Sequence, residues 1–316
     1  MGITARAILL QCGLAALCYP LAAQEPSGPL VVFNAGSLGK PFGDLLRAFK
    51  ALHPDVEPAQ ENSGSLEAAR KITELGKTPD VLGVADYGII PKLLIPKYAT
   101  WYATFARNAM VLIYTDQSVG AKEINGQNWW KVLLRPDVRA GHSNPALDPN
   151  GYRTLMVFQL AEKLYHQPGL AARLERAIPS RNIRPKEADL TALVQAGELD
   201  YSWSYESIAK TAGLRYVKLP AEINLSDPKL ADTYSKVSIR VPAGSKAGKD
   251  SLEVRGEPIV YAVTIPTAAP HSGIAEAFVR FLFSAQGQSV LTSNGFTVIP
   301  KPLLGGPGKP PAGVTQ

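Results

Sequence analysis

The fold of this chain is indicated by the stretch PLVVFNAGSLGKPFGDLLRAFKAL, at residues 29–52. It opens with an apolar run of strand length, and over 42–52 apolar side chains recur at helical spacing until His53-Pro54 ends the pattern. A second strand, helix and short strand follow over 56–83. This alternation predicts an α/β fold built on a largely parallel sheet.

Two further apolar strands divide the rest of the chain. They are predicted at 110–115 and 258–266, and they enclose a second run of strands and helices. The chain is therefore expected to leave one lobe, build another and return through a hinge of two crossing strands. We predict lobe I from 24–113 and 260–304 and lobe II from 114–259, with the ligand cleft between them.

The two ends of the chain differ from this domain. Residues 1–23 combine Arg6 with an apolar run that is short for a bilayer span, and Ala22-Ala23 resembles a cleavage site. We expect a cleaved signal peptide and a periplasmic or other extracytoplasmic location, with an uncleaved signal anchor as the alternative. Residues 305–316 are rich in proline and glycine and are expected to form a disordered tail.

Composition and charge argue against several classes of protein. Both cysteines, Cys12 and Cys18, lie in the expected signal peptide, which leaves the mature chain without a thiol or a disulfide. The formal charge of +6 comes from scattered lysines and arginines without a basic block, which argues against nucleic acid as a partner. The four histidines show no metal-ligand spacing.

Two serine-bearing loops stand where a parallel sheet binds its ligands. Ser37 follows Gly36 after the first strand, and Ser65 follows Gly64 at the start of a predicted helix. Ligands in open α/β sheets bind beyond the carboxyl ends of strands, and helix N-termini there offer an anion free N–H groups and a favourable dipole. Each serine adds a hydroxyl donor. The alternative for either serine alone is a simple N-cap.

The stretch SNPALDPNGYR at 143–153 adds a carboxylate to these donors. Pro145 and Pro149 flank Asp148 in a predicted turn, and Gly151 is expected to take backbone angles closed to other residues. A turn without further function is the alternative. Together with the two serine loops, Asp148 indicates a site for a small oxyanion.

Short stretches along the whole chain point to one family. They are AGSL at 35–38, ADY at 85–87, PKYA at 96–99, SNP at 143–145, DPNGYR at 148–153, YESIA at 205–209, EINL at 222–225 and AQGQ at 285–288. With them the chain resembles, over about residues 31–300, the extracytoplasmic tungstate/molybdate-binding proteins of ABC importers, specifically the archaeal-type branch. The resemblance implies a type II periplasmic-binding fold that closes over one tetrahedral oxyanion, tungstate or molybdate, for delivery to the permease subunits of an importer. The expected protein is a monomer without a cofactor and not an enzyme.

The resemblance also implies that one Asp and one Glu coordinate the metal atom of the bound oxyanion. Asp148 matches the aspartate, and Glu206 is assigned as the glutamate. A shift of one or two residues would instead place Ser204, which has no carboxylate, at the glutamate position. The residues assigned to the oxygen atoms are Gly36, Ser37, Ser65 and Tyr152, with packing as the alternative role of the tyrosine.

Carboxylates beside a dianion need a chemical reason. Two unit charges about 4 Å apart repel by roughly 4 kcal/mol at an effective dielectric constant of about 20. Molybdenum(VI) and tungsten(VI) can accept carboxylate oxygen as an additional ligand, whereas sulfur(VI) does not expand its coordination in this way. A pair formed by Asp148 and Glu206 would therefore attract the metal oxyanions and repel sulfate and phosphate.

Three other interpretations stay open. A serine hydrolase is disfavoured because the Ser37 loop lacks the spacing of a nucleophile elbow and no histidine-bearing loop offers a base. A sulfate or phosphate receptor of the same fold would leave Asp148 unexplained. A ferric-iron receptor could use Tyr201 and Tyr205 but would leave the serine loops without a role.

Overall fold

The computed structural model describes residues 2, 25–242 and 251–314. The strands are β1 (Gly28–Ala35), β2 (Val56–Ser63), β3 (Val81–Val84), β4 (Tyr102–Arg107), β5 (Met110–Tyr114), β6 (Ala140–Ser143), β7 (Ile183–Arg184), β8 (Tyr201–Tyr205), β9 (Arg215–Lys218), β10 (Ser238–Pro242), β11 (Ser251–Arg255), β12 (Val260–Thr264), β13 (Thr297–Val298) and β14 (Leu304–Gly305). The helices are α1 (Gly39–Leu52), α2 (Ser65–Thr73), α3 (Trp129–Leu133), α4 (Pro149–Leu164), α5 (Leu170–Ala177), α6 (Glu187–Gln195), α7 (Glu206–Thr211), α8 (Ala231–Tyr234), α9 (Ser272–Phe283) and α10 (Ala285–Ser293).

The strands form two main sheets, one in each lobe. The first has seven strands in the order β13-β4-β12-β3-β1-β2, with β14 added beside β4. The second has five in the order β7-β6-β8-β5-β9, and β10 and β11 form a separate hairpin. The predicted α/β class is confirmed. The expectation of a largely parallel sheet holds for β1, β2 and β3, but β12 pairs antiparallel with both β3 and β4 because it returns from the other lobe.

Aromatic side chains fill the core of each lobe. In the first lobe the rings of Phe42 and Phe49 pack edge-on against Phe278, with centroids 6.1 and 5.6 Å away. In the second lobe Trp203 packs against Trp129 and Phe158 at 5.1 and 5.4 Å. Such pairs add to the free energy gained from burying their surface. Each sheet therefore packs on a well-filled core, which holds the loops at the edge of the sheet in place.

The chain passes between the lobes at two neighbouring places. β4 lies in the first sheet and β5 in the second, so the first crossing occurs at Asn108 and Ala109. The predicted boundary at 113/114 is therefore too late, because the whole of β5 pairs with β8 and β9. The return crossing leads into β12 at Val260, where lobe I was predicted to resume, and the Ile259 N–H donates to Leu225 O at 2.7 Å.

The C-terminal segment packs on the first lobe. β14 pairs antiparallel with β4, Gly308 N donates to Thr100 O at 2.7 Å, and Val314 is buried. The expected disordered tail is thus wrong for residues 305–314. A Cβ at Gly305 would lie 2.3 Å from the Tyr102 ring, so only glycine allows the chain to approach the ring this closely. Composition alone would instead suggest that such a glycine makes the tail flexible.

The expected signal peptide lies almost wholly outside the described residues. Within the described ranges, no helix is both long and apolar enough to cross a membrane.

Candidate functional site

Ser37 lies in a short 3₁₀ turn, Gly36–Leu38, between β1 and α1. It is 5% exposed, and its Oγ accepts a hydrogen bond of 3.0 Å from the Tyr261 hydroxyl. Tyr261 in turn accepts from Asn108 Nδ2 at 3.4 Å. A hydroxyl both accepts and donates, so this arrangement leaves the Ser37 proton available to a ligand.

Ser65 is the first residue of α2, as predicted, and is completely buried. Its Oγ accepts from Ala85 N at 3.0 Å, which again leaves the hydroxyl proton available. The first N–H groups of an α-helix have no acceptor within the helix, so α2 presents backbone donors beside this hydroxyl.

Both serine loops of the first lobe face the second lobe. A Cβ placed on Gly64 would lie 2.1 Å from Leu147 O and 3.1 Å from Asp148 Cα, which only glycine tolerates. A Cβ placed on Gly36 would lie 3.8 Å from Lys186 Cβ. The donors of the first lobe therefore meet two segments of the second lobe, the turn before α4 and the start of α6.

Asp148 is the N-cap of α4 and is 5% exposed. Its Oδ1 accepts from Asn150 N at 3.0 Å, and its Oδ2 accepts from Glu187 N at 2.8 Å. Burial raises the pKa of Asp148 to about 6, although the backbone donors of Asn150 and Glu187 act in the opposite direction. The structure thus places the predicted aspartate at the interface of the lobes, close to Gly64.

Gly151 serves a different purpose from the one expected. It lies in the first turn of α4 rather than in a left-handed conformation. A Cβ there would lie 2.2 Å from Ser143 O and 2.6 Å from Pro145 N. The glycine is needed because the helix start packs directly on the segment that leaves β6, and this contact orients Asp148.

Tyr152 and Arg153 connect the second lobe to the loop after β3. The Tyr152 hydroxyl donates a short hydrogen bond to Asp86 Oδ2. Arg153 Nη1 donates to Ala85 O at 2.8 Å and to the Tyr205 hydroxyl at 2.9 Å. The predicted oxyanion-binding role of Tyr152 gains no support from these contacts, because its proton is already used between the lobes.

Glu206 does not join Asp148 in the structure. It begins α7, and its Oε1 accepts from the Tyr216 hydroxyl at 3.3 Å and lies 3.0 Å from Lys210 Nζ. It lines a separate cavity of about 260 Å³ whose other walls include Arg107 and Lys218. The assignment of Glu206 as the second carboxylate of the site gains no support from these contacts and stays a prediction. Glu206 follows the last residue of β8 and is the first residue of α7.

The structure places Glu187 beside Asp148. It is 1% exposed at the first position of α6, and its Oε1 accepts a short hydrogen bond from the Ser204 hydroxyl. Burial and then the nearby charge of Asp148 raise the pKa of Glu187 to about 8, although Ser204 acts in the opposite direction. Glu187 does not stand out in the sequence, because an acidic side chain in a first helical turn is normally an exposed partner of the helix dipole.

A cavity of about 280 Å³ opens beside Ser37 between the lobes. Its walls come from both of them and include Lys40, Lys186 and Thr191. The two lysines give this opening a positive charge, which favours the approach of an anion.

The residues invoked by the other interpretations are engaged elsewhere. The Tyr201 hydroxyl donates to Val119 O at 2.6 Å, whereas the Tyr205 hydroxyl accepts from Arg153. The two tyrosines have different partners, so they do not form the pair that a ferric-iron site would need. The hydroxyl of Ser37 contacts Tyr261 and that of Ser65 contacts the Ala85 N–H, so neither serine is paired with a histidine in these hydrogen bonds. The described parts of the chain contain no group of three or more His, Cys, Asp or Glu side chains placed to hold a metal ion.

The chain is similar in sequence to known solute-binding proteins. The model of the bacterial extracellular solute-binding protein family matches residues 30–297. An uncharacterized solute-binding protein of Petrotoga mobilis is 46% identical over 86% of this chain and 84% of its own length. The molybdate/tungstate-binding protein WtpA of Pyrococcus abyssi is 37% identical over 89% of this chain and 88% of its own length.

Solved structures share the fold at low sequence identity. The periplasmic molybdate-binding protein of Azotobacter vinelandii matches with a TM-score of 0.61 at 17% identity, covering 86% of this chain and 100% of its own. The sulfate-binding protein SubI of Mycobacterium tuberculosis matches with a TM-score of 0.60 at 14% identity, covering 86% of this chain and 88% of its own. These likenesses agree on a two-lobed periplasmic-binding architecture.

Proposed function

This chain belongs to the bacterial extracellular solute-binding protein family, and from that membership we propose that it captures molybdate or tungstate between its two lobes. It then delivers the oxyanion to the transmembrane subunits of an ABC importer. The protein acts outside the cytoplasm as a monomer, after removal of the N-terminal signal peptide.

The proposal rests mainly on one observation: hydrogen-bond donors of the first lobe and a buried carboxylate of the second lobe lie together at the interface of the lobes. Ser37 and Ser65 each have a hydroxyl proton free to donate, and α2 adds backbone N–H groups. A dianion with four acceptor oxygens and no protons requires such donors. Opposite them lies buried Asp148, which suits a metal oxyanion and would repel sulfate.

The named relatives favour the same ligand. The WtpA proteins of Pyrococcus abyssi and Thermococcus kodakarensis, both called molybdate/tungstate-binding, are 37% and 36% identical to this chain. The likeness to the sulfate-binding protein concerns the fold alone, because its identity is 14%. The names of these relatives and the buried Asp148 both support the proposed ligand preference.

Calorimetric titration of the purified, anion-stripped protein tests the proposal. Tungstate is titrated first, and molybdate, sulfate and phosphate are then added as competitors. We expect one tungstate per chain, displacement by molybdate and no displacement by sulfate or phosphate. Binding of sulfate in place of both metal oxyanions would contradict the proposed ligand.

A further inference from the structure

Arg70 of the first lobe places its guanidinium group in the interface with the second lobe. It lies in α2 and is only 6% exposed. Its Nη1 donates to Ala146 O at 2.8 Å, and its Nη2 donates a short hydrogen bond to Pro242 O, so both acceptors belong to the second lobe. Its Nε is buried without a hydrogen-bond partner among residues 25–242 and 251–314 and lies 4.0 Å from Glu74 Oε1. Because a buried charge is costly unless it is hydrogen-bonded, this guanidinium depends on the opposite lobe.

The acceptor at Ala146 belongs to the turn that carries Asp148. Ala146 N donates to Asn144 Oδ1 at 2.9 Å, and Asp148 N donates to Asn144 O at 2.9 Å. These bonds make 144–148 a compact unit. A hydrogen bond to Ala146 O therefore also fixes where Asp148 lies relative to the first lobe.

The helix α2 contacts this turn at a second carbonyl as well. Glu67 N donates to Leu147 O at 3.4 Å, one residue beyond the carbonyl that accepts from Arg70. Glu67 and Arg70 are three residues apart and therefore lie on one face of the helix. The helix that begins with Ser65 is thus held against the turn that carries Asp148 by one backbone donor and one side chain.

The bond to Pro242 O connects a further segment of the second lobe. Pro242 is the last residue of β10, which pairs with β11 in the separate hairpin. The two Nη groups of Arg70 therefore reach two segments that are far apart in the chain. A planar guanidinium with several fixed N–H donors suits this arrangement, whereas a lysine ammonium is a single point charge.

Arg153 makes the reverse connection between the lobes. From the second lobe it donates to Ala85 O at 2.8 Å, and the N–H of that alanine donates to Ser65 Oγ at 3.0 Å. Each lobe thus sends one buried arginine to a backbone carbonyl of the other. Both connections end beside a residue of the candidate site, Ser65 in one lobe and Asp148 in the other.

We propose that Arg70 is a positioning residue for oxyanion binding, which docks α2 on the Asp148 turn when the lobes close. The role rests on the proposed function. Arg70 does not contact the ion but brings Ser65 and Asp148 to opposite sides of it. When the lobes separate, water replaces the two carbonyls as partners of the guanidinium, so these bonds stabilise the closed form alone.

Replacing Arg70 with methionine tests this role. Methionine keeps an unbranched side chain but has no N–H donor. Calorimetry should show tungstate affinity lower by at least about tenfold, because two hydrogen bonds from a charged donor are lost. The thermal midpoint of the ligand-free variant should equal that of the wild type, because separated lobes do not make these bonds. Arg70→Lys should recover part of the affinity, since an ammonium group can still reach one of the two carbonyls.

Arg280→Met is the matched control. Arg280 lies in α9 of the same lobe, and its Nη1 is 3.3 Å from Glu276 Oε2, as Arg70 Nε is 4.0 Å from Glu74 Oε1. Both variants therefore remove a helical arginine and its ion pair. Among residues 25–242 and 251–314, only R70M removes hydrogen bonds to the second lobe. R280M should bind tungstate like the wild type.

X-ray absorption at the molybdenum K-edge distinguishes docking of the lobes from a direct effect on the ion. With saturating molybdate, R70M and the wild type should give the same spectrum, because Arg70 donates to backbone carbonyls. A changed spectrum would overturn a role confined to docking.

The remaining outcomes separate this inference from the function on which it rests. Wild-type affinity in R70M, or a ligand-free midpoint that falls together with the affinity, would overturn the role of Arg70 and leave the receptor function intact. If R70M fails to fold by circular dichroism, R70K decides, and wild-type affinity in R70K would overturn the role. A wild type that binds neither metal oxyanion would overturn the proposed function and this role with it.

Discussion

Asp148 links three parts of the molecule through one side chain. It caps α4 with Oδ1 and holds the N-terminus of α6 with Oδ2, and its Cα lies near Gly64 of the opposite lobe. A carboxylate with both oxygens held by backbone N–H groups has one orientation. Asp148 would thus present a preorganised group, rather than a mobile one, to a ligand in the cleft.

Replacing Asp148 with asparagine should weaken both binding and folding. The asparagine oxygen can still cap α4, but its NH₂ group would face the Glu187 N–H, so a buried donor loses its acceptor at a cost of about 1–3 kcal/mol. We expect tungstate affinity to fall by at least about tenfold, or about 1.4 kcal/mol. Urea denaturation and calorimetry measure the two effects.

Asp227→Asn is the matched control for this variant. Asp227 also caps a helical turn, accepting from Lys229 N at 2.9 Å, but it does so at the surface. Its substitution should leave tungstate affinity unchanged. Equal losses of affinity in both variants would indicate a general effect of the capping change and would remove Asp148 from the site.

The stability of the ligand-free protein should fall as the pH rises through the acidic and neutral range. The pKa values of Asp148 and Glu187 are raised in the folded state from 3.8 and 4.5 to about 6 and about 8. The unfolded chain releases these protons first, so their stabilising effect is complete below about pH 4 and is lost as the pH approaches 8. Each group contributes a slope of up to about 1.4 kcal/mol per pH unit.

Urea denaturation from pH 4 to 9 measures this slope, and Glu187→Gln should make it shallower between pH 5 and 8, since the pKa of Glu187 in the folded protein is about 8. Measurements in 1 M salt are the control, because salt screens exposed charges but leaves the cost of burial. An identical slope in wild type and E187Q would contradict the raised pKa.

At the scale of elements, two helix starts determine how closely the lobes can approach. The first turn of α2 meets Leu147 so tightly that Gly64 has no room for a side chain, and Gly151 in α4 makes the same kind of contact within the second lobe. The 3₁₀ turn at Ser37 faces the start of α6. The donors lie at the ends of rigid helices, which positions them more accurately than a free loop would.

Gly64→Ala should hinder closure of the lobes over the ligand. The added methyl group would lie 2.1 Å from Leu147 O, a distance that requires the first turn of α2 to move away. We expect tungstate affinity to fall by at least about tenfold, or about 1.4 kcal/mol. The thermal midpoint without ligand should change little, because separated lobes do not make this contact.

Gly273→Ala is the matched control. This glycine lies near the start of α9, with no positive φ and nothing within 4 Å of an added Cβ. Its affinity should equal that of the wild type. If Gly64→Ala also bound normally, the contact between α2 and Leu147 would not belong to the bound form.

For the whole molecule, the hinge and the contacts across the cleft act together. The chain crosses between the lobes at Asn108 and again at Ile259. Far from those crossings in sequence, Tyr152 donates a hydrogen bond to Asp86 and Arg153 donates one to Ala85 O. These interlobe bonds favour the closed arrangement that brings Asp148 to the serine loops. We therefore expect Tyr152 to contribute to binding by holding the lobes together rather than by contacting the ion.

Tyr152→Phe should weaken tungstate binding without changing the coordination of the metal. It removes one hydrogen bond to a charged group, typically about 1.5–3 kcal/mol. Small-angle X-ray scattering should record a larger radius of gyration for the variant at subsaturating tungstate. Tyr98→Phe, which loses a 3.1 Å bond to Thr73 O inside the first lobe, is the control and should behave as wild type. A changed molybdenum edge in Tyr152→Phe would contradict this role.

Local sequence determined the elements and much of the site. The strand of 29–33, the helix of 42–52 and the helix start at Ser65 follow from periodicity, and the structure contains each of them. Asp148 was predicted in a turn, and in the structure it caps α4. These features depend on neighbours within a few residues. For that reason a single sequence is sufficient to predict them.

Tertiary structure alone decided which carboxylate accompanies Asp148. Glu187 and Glu206 both begin helices and look alike in sequence, but the parallel pairing of β6 with β7 and β8 brings α6 to the aspartate turn. Tertiary structure also decided that the C-terminal segment is ordered, because Gly305 packs against Tyr102, which lies some two hundred residues earlier in the chain. Contacts between distant segments depend on how whole lobes pack, and no local pattern encodes that arrangement.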